Sequence, residues 1–178
     1  VRLLPDVAGK KELYTGDRVF STATLKMGRG NSGKLVTEVK KAMLKAAPPC
    51  ELAIVDGSPG IGCPVIASVN GMDLVLVVAE PSGSGISDLK RLCATAATLQ
   101  VRLAVCVNKY DVSPQHTECI ETFCRQQGIA FVGKIPFDPM AVRAVNEGTT
   151  VVDIDCPAGR AVREIFAKLT ALLAERSI

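Results

Sequence analysis

Four short segments of this chain place a carboxylate, an amide or a lysine among glycines or prolines, the mixture from which phosphate-, metal- and base-binding loops are built. Asp56-Gly57-Ser58-Pro59-Gly60-Ile61-Gly62 follows a short apolar run. A carboxylate at the tip of a buried strand suits Mg²⁺, which takes few protein carboxylates and keeps several waters. The glycines would let the backbone approach a terminal phosphate and move when it leaves. An ordinary glycine-rich turn with an aspartate cap is the simpler alternative. Glu80-Pro81-Ser82-Gly83-Ser84-Gly85 leads into a helical pattern for which Ser84 or Ser87 is a suitable cap. A helix start can bind an anion, although most are simply capped.

Asn108-Lys109-Tyr110-Asp111 follows an apolar strand pattern. Asn-Lys-x-Asp at a strand end can read a guanine base, the aspartate taking ring N–H donors and the asparagine offering both donor and acceptor. A polar turn between strand and helix accounts for it equally well. Gly133-Lys134-Ile135-Pro136-Phe137-Asp138-Pro139 is stiffened by two prolines and could hug a base or merely turn the chain. Gly28-Arg29-Gly30-Asn31-Ser32-Gly33-Lys34 matches G-x-x-x-x-G-K, but Leu35 stands where a phosphate loop needs a hydroxyl for Mg²⁺. The one histidine, His116, opens a polar helix and has no nucleophile in its pattern. The seven cysteines, at 50, 63, 93, 106, 119, 124 and 156, contain no C-x-x-C pair. They point to reduced thiols in a cytoplasmic protein rather than a metal or disulfide framework.

The elements that must position these loops follow from periodicity. β-branched residues predict a strand over 18–26, and apolar runs predict strands at 52–55, 74–78 and 103–107, with a weaker one at 130–132. Helical spacing predicts helices over 32–46, capped by Ser32 and stopped by Pro48-Pro49, and over 84–98, 115–127 and 158–175. Strands apolar on both faces that alternate with helices predict an α/β fold, a mostly parallel sheet with helices on both faces. In such sheets ligands bind beyond the carboxyl ends of the strands, where the loops above fall. Residues 1–17 read as a lead-in and 18–178 as one α/β core.

Composition narrows the function classes. With 178 residues, 48% hydrophobic and 22% charged, the chain can bury a sizeable core. A net charge of +3 and 4% aromatic residues are poor credentials for a nucleic-acid surface or a base-stacking platform. No uninterrupted apolar stretch is long enough to span a membrane.

Taken together, the 56–62 loop, the Val77-Val78-Ala79-Glu80-Pro81 strand end and Val107-Asn108-Lys109-Tyr110-Asp111 resemble the MinD/Mrp superfamily of P-loop ATPases. Gly30-Asn31-Ser32-Gly33-Lys34-Leu35-Val36 narrows the resemblance to members carrying an inserted ferredoxin domain. The resemblance covers roughly residues 18–170 and implies a homodimer that binds and hydrolyses Mg-ATP. It implies Asp56 as the Walker B aspartate near Mg²⁺, and Gly57, Ser58, Pro59 and Gly60 as the loop that senses the γ-phosphate. It implies an adenine site of Asn108, Lys109 and Asp111 flanked by Pro136 and Asp138. The family's Walker A loop and its cysteine-rich ferredoxin insert have no counterpart in this sequence. The chain therefore matches the C-terminal portion of such a protein. Hydrolysis would belong to the complete protein, the iron–sulfur cluster to the insert, and an iron–sulfur or redox protein would be a possible partner. A GTPase-like enzyme using Asn-Lys-x-Asp, and a non-catalytic dimerisation or docking module, are the competing expectations.

Overall fold

In the computed structural model, which describes residues 7–28 and 30–175, the chain divides after Asn70 into two units. The first opens with a hairpin of β1 (Gly9–Tyr14) and β2 (Phe20–Leu25), antiparallel and in register from Gly9 against Leu25 to Tyr14 against Phe20. The strand expected over 18–26 is β2. Part of the expected lead-in is a strand as well, and residues 1–6 of it lie outside the described residues. Lys10, Lys11 and Glu12 break the apolar alternation in β1, which is held by backbone pairing with β2 and by Tyr14 near Phe20 across the hairpin.

α1 (Ser32–Ala46) has the expected bounds. Its N-cap is Asn31 rather than Ser32. Asn31 adopts the left-handed conformation, φ 73° and ψ 26°, which asparagine tolerates better than most residues. α1 packs on the hairpin, where Ser21 Oγ donates to the Val39 carbonyl at 3.0 Å. It also packs on α2 (Cys63–Val69), a seven-residue helix with Pro64 in its first turn that is too short to show a clear period. Residues 52–55 are not a strand. They have the composition of one, but no strand among the described residues hydrogen-bonds to them, and Ile54 is 75% exposed.

The second unit is a three-stranded parallel sheet in the order β3-β4-β5, built from β3 (Val75–Ala79), β4 (Leu103–Asn108) and β5 (Ala130–Ile135). Between them run α3 (Gly83–Thr98) and α4 (Pro114–Gln127), followed by α5 (Pro139–Asn146) and α6 (Pro157–Ala174). The central strand β4 explains the layering, since successive side chains face opposite ways. Val105 and Val107 pack with Leu89 of α3 and with Ile120 and Cys124 of α4. Ala104 and Cys106 pack with Val132 and with Ile165 of α6 on the other face. Helices therefore cover both faces, and the fold is α/β as expected.

β5 is longer than its sequence suggested. Its register against β4 slips between Val105 and Cys106, bringing Gly133 opposite Cys106. The position of a Gly133 Cβ is taken by Ile165 Cγ1, 2.7 Å away. The glycine that broke the apolar pattern thus admits α6 to the sheet. α5 escaped notice because its eight residues follow directly from a proline-rich turn.

Candidate functional site

All three strands of the second unit point the same way, so their following loops meet at one edge of the sheet. Two polar links join these loops. Lys109, in left-handed backbone (φ 53°, ψ 46°), extends Nζ to Glu80 Oε1 at 3.2 Å, joining the loop after β4 to the loop after β3. The Phe137 amide donates to Asp111 Oδ1 at 2.7 Å, joining the loop after β5 to the loop after β4. Asp111 lies in a short 3₁₀ turn, Tyr110–Val112, steadied by Thr117 Oγ1 donating to the Tyr110 carbonyl at 2.9 Å. Asn108, half-buried, ends β4 at the centre of this edge.

Asp138 is engaged by helix starts. Its Oδ1 accepts from the Met140 amide at 2.9 Å, capping α5, and its Oδ2 accepts from the Ala158 amide at 3.1 Å in the first turn of α6. Those two amide bonds hold its carboxyl below the ordinary carboxylate value. Pro136 and Phe137 lie between this anchor and Asp111, and Phe137 is 55% exposed. The structure thus brings together Asn108, Lys109, Asp111, Pro136 and Asp138. The partners of Lys109 and Asp111 were not legible beforehand, because they follow from strand adjacency across 29 and 26 residues.

The remaining candidates belong to the first unit. Asp56, Gly57, Ser58, Pro59 and Gly60 form an exposed irregular segment leading to α2, with Gly60 at φ +87°. Asp56 makes no hydrogen bond or ion pair among the described residues, and no cluster of three metal-ligating side chains occurs among them. A lone exposed carboxylate fits Mg²⁺ only where phosphate oxygens and water complete the shell. α2 is secured from its far end. Lys40 Nζ donates to the carbonyls of Ala67, Ser68 and Asn70 at 3.0, 3.1 and 2.7 Å, and burial lowers its pKa.

The G-x-x-x-x-G-K match serves packing. A Cβ on Gly33 would lie 3.0 Å from the Cys63 carbonyl oxygen, so the glycine lets α1 approach α2, and Lys34 is exposed. His116 Nδ1 pairs with Ser113 Oγ at 2.8 Å at the start of α4. Burial pushes the Cys106 and Cys124 thiols up to about 11, which leaves them inert near neutral pH. The cysteines among the described residues are all free.

No protein-family model matches the chain. It is 33% identical over 126 residues to an uncharacterised ATP-binding protein of Methanocaldococcus jannaschii, covering 67% of this chain and 46% of that one. It is 30% identical over 158 residues to an iron–sulfur cluster carrier protein of Pyrococcus furiosus, covering 80% and 54%. The chain spans about half the length of the curated relatives it matches. Among solved structures, the MinD cell division protein of Aquifex aeolicus superposes with a TM-score of 0.59 at 24% identity, over 79% of this chain and 59% of that one. The cell division ATPase MinD of Pyrococcus furiosus superposes with a TM-score of 0.62 at 17% identity, over 80% and 59%. Sequence relatives of both kinds and a fold shared with MinD place the chain among the MinD/Mrp-like P-loop ATPases.

Proposed function

We propose that the chain is the C-terminal portion of a longer ATP-binding protein associated with iron–sulfur or redox chemistry, which as a homodimer binds and hydrolyses Mg-ATP. The observation that carries this reading is the joined loop edge of the second unit. Asn108 offers an amide donor and acceptor there, beside the stiff segment of Pro136 and Phe137, a setting suited to a flat base. The names of the ATP-binding and iron–sulfur carrier relatives support the nucleotide and the iron–sulfur association.

In this reading Asp56 would lie near Mg²⁺, which would neutralise charge on the phosphates, and Gly57, Ser58, Pro59 and Gly60 would form the loop that senses the γ-phosphate. The phosphate-binding loop comes from a part of the protein outside this chain, and so does a ferredoxin insert. The two units then belong to one domain of the complete, cytoplasmic protein. No helix among the described residues is long and apolar enough to cross a membrane. A guanine reading is less favoured, because Asp111 already holds a backbone amide with Oδ1.

Calorimetric titration tests the proposal. The complete protein should bind Mg-ATP in preference to Mg-GTP and hydrolyse it, whereas this chain alone should bind neither. Failure of the complete protein to bind ATP overturns the reading. Tight ATP binding by this chain alone overturns its assignment as a portion that lacks the phosphate site.

A further inference from the structure

We infer that Asp111 is a positioning residue: through the Phe137 amide it fixes the backbone of residues 136–138 against the end of β4, and it does not itself read the base. The inference rests on the nucleotide reading above and assigns a role within the same site.

Three observations support it. The Phe137 N–H donates to Asp111 Oδ1 at 2.7 Å, a short bond to a defined acceptor. It joins the turn after β4 to the loop after β5, so it governs the backbone beside Pro136. One residue further on, both Asp138 oxygens are committed to the Met140 and Ala158 amides. Phe137 is therefore fastened on both sides, and its exposed ring is presented from a backbone with little freedom. A carboxylate used in this way needs to be an acceptor. It does not need to be charged, which separates it from a guanine reader that offers both oxygens to ring N–H donors.

That difference supplies the test. Asp111→Asn keeps an acceptor oxygen, and Asp111→Ala removes it. In the complete protein, without nucleotide, amide exchange at Phe137 should quicken on the order of tenfold in Asp111→Ala and stay near wild type in Asp111→Asn. ATP affinity in the same samples should fall several-fold in Asp111→Ala and be restored in Asp111→Asn, with the melting temperature little changed in either because the side chain is exposed.

Unchanged Phe137 exchange in Asp111→Ala overturns the clamp. A loss of affinity in Asp111→Asn as large as in Asp111→Ala, above all for GTP, overturns the positioning role and makes Asp111 a base reader. If wild type binds neither nucleotide, the nucleotide reading and this role in it fall together. Exchange at Phe137, read without nucleotide, shows separately whether the clamp exists.

Discussion

Carboxylates that look alike in the sequence have different tasks here. Asp56 is exposed and uncommitted among the described residues, Asp111 holds one amide of a neighbouring loop, and Asp138 caps α5 and accepts a second amide from the first turn of α6. The two prolines marked the segment around Asp138 as a turn, and it does turn the chain from β5 into α5. Its link to α6 depends on an amide 20 residues ahead, which no local pattern reveals. The amide bonds give a pH signature. They hold the folded-state pKa below the ordinary 3.8. The stabilisation is thus fully present above that value and is lost as pH falls through the lower, folded one. Asp138→Ala should melt below wild type at pH 7, and the gap should narrow as pH drops below about 4. Thermal melts from pH 7 to pH 3 check this; a gap that stays constant throughout would mean that Asp138 does not act through its charge.

At the scale of elements, the glycine in the G-x-x-x-x-G-K match shows how one residue pattern serves two purposes. Gly33→Ala would put a Cβ 3.0 Å from the Cys63 carbonyl oxygen and 3.2 Å from its carbon, both backbone atoms. Overpacking of this kind costs about 1–3 kcal/mol, offset by roughly 1 kcal/mol of helix propensity gained over glycine. A net loss of about 1 kcal/mol is expected in urea unfolding without nucleotide. Gly30→Ala, with open space around its Cβ, should change stability by less than about 0.5 kcal/mol. Equal effects of the two substitutions would remove the packing explanation. The helices α1, α3, α4 and α6 were legible because their apolar stripes repeat over at least three turns, as in Ile165, Leu169 and Leu172 of α6 against the sheet. β4 was legible because a strand buried on both faces reads as a continuous apolar run. β1 was not, since Lys10, Lys11 and Glu12 break the apolar alternation that marks a strand, although Tyr14 stacks near Phe20 across the hairpin. Residues 52–55 misled for the converse reason: an apolar run shows that burial is possible, and pairing requires a neighbour supplied by another part of a chain.

That missing neighbour is a property of the whole molecule. β3 bonds to β4 along one edge, and its other edge has no partner among the described residues, with Val78 54% exposed. Residues 52–55 likewise have no pairing among the described residues, with Leu52 43% exposed. Unpaired apolar edges invite aggregation, and folded proteins normally cover or charge them. The curated relatives are about twice the length that this chain spans, so a longer protein could supply the covering strands. Hydrogen exchange distinguishes this from an exposed docking surface. In this chain alone, the amides of residues 52–55 should exchange close to the rate of unstructured peptide. In the complete protein they should slow by about a hundredfold or more if a strand pairs with them. The protection should appear without nucleotide, because it comes from the sheet rather than from a ligand. Exchange that stays fast in the complete protein would mean that the edge is not completed within the molecule, and would turn attention to a partner surface instead.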